Sequence, residues 1–472
     1  MLSSIDSYRQ MEYDYDYFHD DLTDLLDPNA LDDYYPDYSL ESVSFLEYTR
    51  ACLQPTLYDV CTTYFPVLCI CFLFHCFNKF VRRKFSWKHF FSGFIGIGIL
   101  YSYVQNLIVH PIALASVSYV IILFTSRQKY TSFFFTISLL CYLTLCEFVC
   151  EGLSWARVRN VQMLIVMKLI SLISNLHDKR IQLPSFTEFF GYLFCVGNCI
   201  FGPWIDFSSY MDLFRPTRKL NVTVAVRLVT SVLKSLFFFS LSMCYIEWIW
   251  PETNEKDPWL MYFKALEFRT SHYFIMFMCE SFSVAIGHDR LDDSFNSKYM
   301  TKPSSIEFPR SLVEVVIFWN VPMHVWLKTY VFRPLSKYGR FVAVIGTFFI
   351  SSLLHGLNYQ LSGILLSLAI YTYVEYVFRS KLSRKFDACL LSKSCGMNCK
   401  THRHTEKKIP VRLLNLGFSI LALYHLSYLG FLIDLRNDQK LEFFESFKKW
   451  KDEAFSSHFV VLITYGLSLL LC

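Results

Sequence analysis

FWNVPMHVWLKTYVFRPLSKYGRFVAVIGTFFISSLLHGLNYQ, residues 318–360, has the pattern of two hydrophobic helices joined by a short basic turn. Pro334 and Gly339 interrupt the helical pattern at that turn. Asn320 and His355 lie at equal sequence distances on either side of it, so an antiparallel hairpin would hold them at the same depth. At about 1.5 Å per residue each would lie roughly 20 Å from the turn, well inside a bilayer core of about 30 Å.

This matched pair of polar side chains is the main functional signal in the sequence. An imidazole and a carboxamide are costly to place inside an apolar hairpin, and such residues usually mark functional sites. The alternative is a histidine that is hydrogen-bonded for helix packing. Because Asn320 and His355 are predicted at the same depth, the functional interpretation is favoured.

Composition places the chain among membrane proteins. Of the 472 residues, 53% are hydrophobic and 47 are Phe. Apolar runs of 18 or more residues recur along almost the whole length, which predicts an all-α bundle that crosses the membrane many times. The pattern predicts about eleven spans. No basic, aromatic-interleaved face suggests nucleic acid, and the 16 cysteines, scattered in apolar segments, give no disulfide pattern.

Two segments are predicted to depart from simple spans. Residues 161–172 are apolar at helical spacing but short and contain Lys168, which predicts a slanted or interfacial helix. Residues 186–210 contain several glycines and a proline, which predicts a broken or re-entrant element. Such an element is tolerated only where protein shields it from lipid. The other charged residues within spans are predicted to be paired structural groups or the lining of a water-filled cavity, and not catalytic acids: Glu147, Lys168, Glu280, Glu314 and Glu375.

Charge is distributed unevenly along the chain and predicts its orientation. Residues 1–50 hold 13 acidic against 2 basic residues, whereas the net charge is +5, so the remainder carries +16. We expect residues 1–52 to form a disordered, lumenal, acidic tail, followed by a multispanning domain over 53–472. The basic segments 78–88, 333–340 and 379–410 should face the cytosol, and an odd number of spans leaves the C-terminus cytosolic.

Several motifs resemble the membrane-bound O-acyltransferases. They are FWN-x-PMH at 318–324, TYVFRPL at 329–335 and SSLLHG at 351–356, with supporting matches at 161–172, 188–210, 308–320, 364–379 and 388–399. The likeness covers nearly everything after about residue 55. It is greatest to the branch whose members attach a monounsaturated acyl chain to secreted Wnt proteins in the endoplasmic reticulum.

The resemblance implies a function and a catalytic hairpin over 310–360. A palmitoleoyl group would pass from palmitoleoyl-CoA, a substrate rather than a bound cofactor, to a serine of a Wnt protein at the membrane. His355 would be the catalytic histidine and Asn320 its partner. Such a transfer needs a general base, which an imidazole can supply. Asn320 either donates to the oxyanion or fixes the tautomer of His355.

Further candidates surround this pair. Ser351 and Ser352 make the helix thin enough for an acyl chain or another helix to approach, and Trp319 adjoins Asn320. Arg333 and Lys337 in the basic turn could attract the phosphates of coenzyme A, although a positively charged cytosolic turn is equally expected without that role. All five are candidate substrate-binding residues.

The loop at 379–410 contains the only metal-like spacing in the sequence. The cluster consists of Cys389, Cys395, Cys399, His402 and His404. Within it, the spacing of Cys395, Cys399, His402 and His404 is compatible with a tetrahedral zinc ion. S-acylation or a plain reduced loop would explain the cysteines equally well, so no metal is predicted.

Two other functions remain open at this stage. A sibling enzyme of the same family could acylate a lipid, a sterol or another secreted protein. Alternatively, a transporter or receptor could use the same histidine and asparagine to line a permeation or ligand site. Inverted repeats would favour a transporter, and the sequence contains no convincing internal repeat.

Overall fold

A computed structural model of the chain describes residues 44–471 except for gaps at 81–84, 126–129, 151–152, 201, 215–221, 252–258, 289–298, 357, 397–398 and 434–446. The described part is helical apart from turns, loops and one isolated β-bridge. Seven helical stretches in it are long and apolar enough to cross a membrane. The chain is therefore a multi-pass, all-α membrane protein, as predicted, whereas the count of eleven spans stays a prediction.

The longer helices are numbered α1 to α14 in chain order. Their bounds are α1 Gln54–Phe80, α2 Phe85–Val104, α3 Val109–Thr125, α4 Thr131–Val149, α5 Leu153–His177, α6 Phe186–Leu193, α7 Val222–Ser240, α8 Leu260–Ala285, α9 Leu312–Trp319, α10 Val321–Leu327, α11 Arg340–Leu354, α12 Tyr359–Lys385, α13 Ile409–Gly430 and α14 Ser456–Leu470.

The first helix begins inside the segment predicted as a tail. Helix Phe45–Tyr48 continues through a π-helical turn, Thr49–Leu53, directly into α1. Its start is a capping box, in which the Glu47 backbone N–H donates to Ser44 Oγ and the Glu47 carboxylate accepts from the Ser44 N–H at 3.1 Å. The predicted disorder of the acidic tail concerns residues 1–43, which lie outside the described residues.

Helices α2 and α3 run in different directions, although only a short 3₁₀ turn joins them. Gln105, at the turn, has a φ of +50°. Ser92 of α2 donates to the Gly191 carbonyl of α6, and the Tyr119 ring of α3 lies 4.9 Å from that of Phe189 in the same helix. In one straight helix Ser92 and Tyr119 would lie about 40 Å apart, so the chain must reverse at Gln105.

The segment predicted to be slanted or interfacial is part of α5, a 25-residue helix buried at the centre of the bundle, so it is not interfacial. Lys168 is fully buried there. Its ammonium donates to the carbonyls of Tyr192 and Leu193 and to Asn198 Oδ1, each at 2.9 Å. The lysine that suggested an interface therefore satisfies the carbonyl groups at the end of α6, which no helical N–H can reach.

The predicted broken element at 186–210 is confirmed. Helix α6 ends at Leu193, an irregular segment follows, and a short helix resumes at Phe207–Asp212. Most described residues between are buried by surrounding helices. Irregular backbone at membrane depth requires such protein shielding.

Helices α11 and α12 form an antiparallel pair with His355 at its tip. Ser352 of α11 donates to Ser362 Oγ of α12 at 2.7 Å, and at the other end Arg340 donates to the Tyr376 hydroxyl. The basic turn at 333–340 and the end of α12 consequently lie on the same side of the bundle. The first arm of the predicted hairpin is broken at Asn320, where α9 ends and α10 begins.

Two contacts show which helix ends lie on the same face of the bundle. Gly430, at the end of α13, packs against Ala265 near the start of α8. His75, near the end of α1, hydrogen-bonds to the Ile286 carbonyl at the end of α8. The start of α13, and with it the loop from 386 to 408, therefore shares a face with the end of α1.

A disulfide joins Cys52, at the start of the first helix, to Cys244 in the turn that follows α7. The sequence analysis found no disulfide pattern, and this was wrong. The two residues are 192 positions apart and neither stands in a recognisable cysteine motif, so only the packing of their helices reveals the pair. It lies on the face opposite the basic segments.

Lys168→Met should destabilise the fold, because methionine leaves three buried acceptors without a donor. An unsatisfied buried group typically costs about 1–3 kcal/mol, so we expect a clear drop in the unfolding temperature of the protein in detergent. Lys448→Met, at an exposed position, is the matched control. Equal unfolding temperatures for the two variants would contradict a structural role for Lys168.

Candidate active site

His355 terminates α11. Its backbone N–H reaches back to the Ser351 carbonyl, and Gly356, at φ +89°, turns the chain out of the helix. Glycine is common at this position because it adopts a positive φ without strain. The helix end therefore projects the His355 imidazole from the tip of the α11–α12 pair.

Gly356 also allows an ion pair to approach the backbone. Arg159 of α5 and Glu147 of α4 lie 3.7 Å apart. A Cβ at Gly356 would lie only 2.7 Å from Glu147 Oε1 and 3.0 Å from the Arg159 side chain. Arg159 lies within electrostatic range of the His355 ring, so the wall of the site beside the histidine is polar.

The His355 imidazole differs from the packing histidines of this protein. His89 bonds to the Tyr210 hydroxyl at 2.8 Å and His425 bonds to Ser457 Oγ at 2.7 Å, and both histidines are buried. His355 is half-buried and makes no hydrogen bond to any residue that the structure describes. Its ring nitrogens are therefore available to another molecule.

Asn320 occupies the break between α9 and α10. Its side-chain oxygen accepts from the Met323 backbone N–H at 3.1 Å, which caps the start of α10. Because a backbone N–H can only donate, the capping atom must be the carbonyl oxygen. The side-chain NH₂ group makes no hydrogen bond within the described part of the chain, so it remains available as a donor.

His272 of α8 is a site residue that the sequence analysis missed. Its ring stacks on Trp319 with centroids 4.4 Å apart, and its Nε2 lies 3.0 Å from the Trp319 carbonyl. Since a carbonyl can only accept, Nε2 carries the hydrogen. His272 also lies within electrostatic range of His355. A histidine inside the apolar stretch 259–286 was the available sequence signal.

His272 connects the two predicted catalytic residues. No hydrogen bond joins Asn320 to His355 among the described residues. Asn320 is adjacent to Trp319, which contacts His272, and His272 in turn lies near His355. The structure thus gathers two imidazoles, an indole and a carboxamide into one region.

The other predicted substrate residues take different positions. Ser351 and Ser352 are buried, and Ser352 contacts Ser362 of the neighbouring helix, which is a packing contact. Arg333 and Lys337 are exposed at the basic turn. Helix α11, 15 residues long, separates that turn from His355 by about 22 Å.

Of the four carboxylates within spans, three have an arginine partner and the fourth, Glu314, is bound by a backbone N–H. Glu280 accepts from Arg227 at 2.8 Å, and Glu375 lies 3.4 Å from Arg379. Glu314 accepts from the Arg310 backbone N–H at 3.1 Å. Their role is structural, as expected for ionisable groups within a bundle.

Four of the five residues in the predicted metal-like cluster converge in the structure. Cys395, Cys399 and His402 lie together as expected, and the fourth member is Cys389, whereas the spacing had favoured His404. His404 turns away, and its Nδ1 lies 2.9 Å from Lys408 Nζ. A bridge between Ala388 and His404 sets Cys389 inward, a contact that spacing alone does not predict.

Comparison with known proteins identifies the family. The model of the membrane-bound O-acyltransferase family matches residues 134–383. Protein-serine O-palmitoleoyltransferase porcupine from Mus musculus and that from Homo sapiens are each 32% identical over 450 residues, covering 89% of this chain and 96% of the relative. Lysophospholipid acyltransferase 2 from Arabidopsis thaliana is 23% identical over 208 residues, covering 38% of this chain and 45% of the relative.

The matched region contains the central helix α5, the broken element around α6 and the whole segment that carries His272, Asn320 and His355. The chain belongs to the membrane-bound O-acyltransferase family.

Proposed function

We propose that this protein is a protein-serine O-palmitoleoyltransferase that acylates secreted Wnt proteins in the endoplasmic reticulum. The main support is the 32% identity, over 89% of the chain, to relatives that carry this activity in their names. The half-buried, unbonded imidazole of His355 is the chemical group that such a reaction needs. The lysophospholipid acyltransferases match a smaller part of the chain at lower identity, so a protein acceptor is favoured over a lipid.

In this proposal His355 is the general base. Its unprotonated ring nitrogen takes the proton of the acceptor serine while the serine oxygen attacks the thioester carbonyl carbon. The carbon–sulfur bond then breaks, and the coenzyme A thiolate receives the proton from the imidazolium. The products are an oxygen ester and free coenzyme A, and His355 returns to its starting form. General-base action of this kind contributes about 10²–10⁴-fold in rate.

We assign Asn320 to the oxyanion. A neutral imidazole has one lone-pair nitrogen, and a donor bonded to that nitrogen would prevent it from acting as a base. The Asn320 carbonyl oxygen already caps α10, so its NH₂ group is what it offers the site. The NH₂ group would donate to the thioester oxygen as negative charge develops there. One such donor typically contributes about 10²–10³-fold to the rate.

The acyl donor is proposed to be palmitoleoyl-CoA, which binds with its nucleotide at the basic turn. Arg333 and Lys337 are exposed at the end of the bundle from which α11 leads to His355. Phosphates are attracted to such a cluster. The phosphopantetheine arm, which joins the nucleotide to the thioester, would run along α11 over the distance of about 22 Å, and the acyl chain would continue beyond His355.

The proposed orientation places the basic segments in the cytosol and the N-terminus in the lumen. The excess of Lys and Arg at 78–88, 333–340 and 379–410 supports it. The Cys52–Cys244 disulfide supports it independently, because disulfides persist in oxidising compartments such as the lumen of the endoplasmic reticulum. Wnt substrates would then reach His355 from the lumenal side.

His355→Ala should reduce acyl transfer to a Wnt peptide by about 10²–10⁴-fold while the unfolding temperature stays near that of the parent, because the imidazole has no hydrogen bond to lose. Asn320→Ala should cost about 10²–10³-fold. The double variant should be little worse than His355→Ala, since the two groups act on one transition state. Turnover is measured with labelled palmitoleoyl-CoA and purified protein.

His425→Ala is the control for this series. It removes a buried, hydrogen-bonded histidine, so it should lower the unfolding temperature and leave the turnover of the folded fraction near normal. Normal turnover in folded His355→Ala protein would overturn the assignment of the site. Acylation of a lysophospholipid but not of the peptide by the parent protein would favour the lipid-modifying alternative.

Reversing Arg333 and Lys337 to Glu should raise the KM for palmitoleoyl-CoA with little change in kcat, and the KM of the parent should rise with salt as screening weakens phosphate attraction. Lys385→Glu, exposed on the same face, is the matched control. If Lys385→Glu raises the KM equally, the positive charge of the whole face attracts the donor, and the turn is not a specific site.

Tags at the two termini test the orientation in sealed microsomes. The N-terminal tag should be protected from added protease and the C-terminal tag should be cut, because the basic segments hold the C-terminal face in the cytosol. Protection of both tags, or of neither, would contradict an odd number of spans.

A further inference from the structure

The loop between α12 and α13 gathers three thiols and one imidazole. The Sγ atoms of Cys389, Cys395 and Cys399 and the Nδ1 atom of His402 all lie within 4.8 Å of one another. The three sulfurs lie 3.7, 3.6 and 3.4 Å from His402 Nδ1. We propose that these four residues bind a structural zinc ion.

The spacing of the ligand atoms matches a zinc tetrahedron. Zinc–sulfur bonds of about 2.3 Å and a zinc–nitrogen bond of about 2.0–2.1 Å, at a tetrahedral angle, separate sulfur from nitrogen by about 3.6 Å. The three observed sulfur–nitrogen distances bracket that value. The sulfur–nitrogen distances of this cluster are therefore those of a zinc site.

A neighbouring serine selects the tautomer of His402 that a metal needs. The Ser383 hydroxyl donates to the Ala388 carbonyl at 2.6 Å, so its oxygen is free to accept. His402 Nε2 lies 3.1 Å from that oxygen and is the donor. The Nδ1 atom then carries the lone pair, and it faces the three sulfurs. Metal-bound histidines commonly have their second nitrogen held in this way.

Two alternatives to metal binding, a disulfide and S-acylation, account for fewer of these four side chains. One disulfide would consume two thiols and leave the third thiol and the Nδ1 lone pair without a partner. S-acylation requires an accessible thiol, whereas Cys389 is fully buried. Thiolates and one imidazole are soft ligands that select zinc over magnesium or calcium. In the cytosol, where we place this loop, thiols stay reduced.

Four protein ligands complete the coordination of zinc, so the ion has a structural role. The metal-binding loop in turn holds the start of α9. Arg310 donates to the Cys389 and Leu391 carbonyls at 2.9 and 3.0 Å, and Ser311, the N-cap of α9, donates to the Ser392 carbonyl at 2.9 Å. Helix α9 ends at Asn320, so the zinc ion braces the helix that leads to the active site.

Metal analysis of the full-length protein, purified with a histidine-free tag and dialysed against a weak chelator, tests the proposal. We expect about one zinc ion per chain and little iron, copper or nickel. His402→Ala and Cys399→Ser should each lower the zinc content at least tenfold. His404→Ala is the matched control, because this neighbouring imidazole does not face the sulfurs, and it should retain zinc.

A second measurement uses the parent protein, so it does not depend on variants that fold. A strong chelator should release the zinc, make Cys395 and Cys399 reactive to N-ethylmaleimide and lower the unfolding temperature. Added zinc should reverse all three changes. Dialysed parent protein without zinc, a disulfide among the three cysteines, or a His402→Ala variant with its zinc intact would overturn the proposal.

Discussion

A buried polar group in a membrane protein must find its partner within the protein, because the bilayer core offers no water. Lys168 meets this constraint at the centre of the fold. Helix α6 ends inside the bundle, and its last carbonyls would be left without donors. The Lys168 ammonium satisfies two of them together with Asn198 Oδ1. This one charged group therefore satisfies the carbonyl groups at the point where the broken element begins.

The same constraint shows how His355 differs from the other buried polar groups. Glu147, Glu280 and Glu375 all have cationic partners, and His89 and His425 have hydroxyl partners. His355 has no such partner among the described residues and is half-buried. Its imidazole forms the tip of a helix pair and makes no packing hydrogen bond. Such a position is suitable for a group that must contact substrate.

The helix breaks near the site follow from local residues and have chemical consequences. The break at Asn320 frees the Trp319 carbonyl, which His272 engages, and it points the Asn320 amide away from a regular helix. The turn at Gly356 needs a positive φ and a side chain no larger than hydrogen, because Glu147 and Arg159 lie against it. Because the helices are interrupted at Asn320 and Gly356, side chains from several helices can lie close together there.

The sequence by itself determined that the protein is an all-α membrane bundle, since long apolar runs have no other stable arrangement in lipid. It also predicted a site at Asn320 and His355, the basic turn and the pairing of most intramembrane carboxylates, because those signals are local or depend on one hairpin. The tertiary structure alone decided the central burial of Lys168, the Cys52–Cys244 disulfide, the presence of His272 beside Trp319 and which four of the five residues in the metal-like cluster converge. Each of these depends on contacts between distant segments or on how a loop folds back, and no spacing along the chain encodes them.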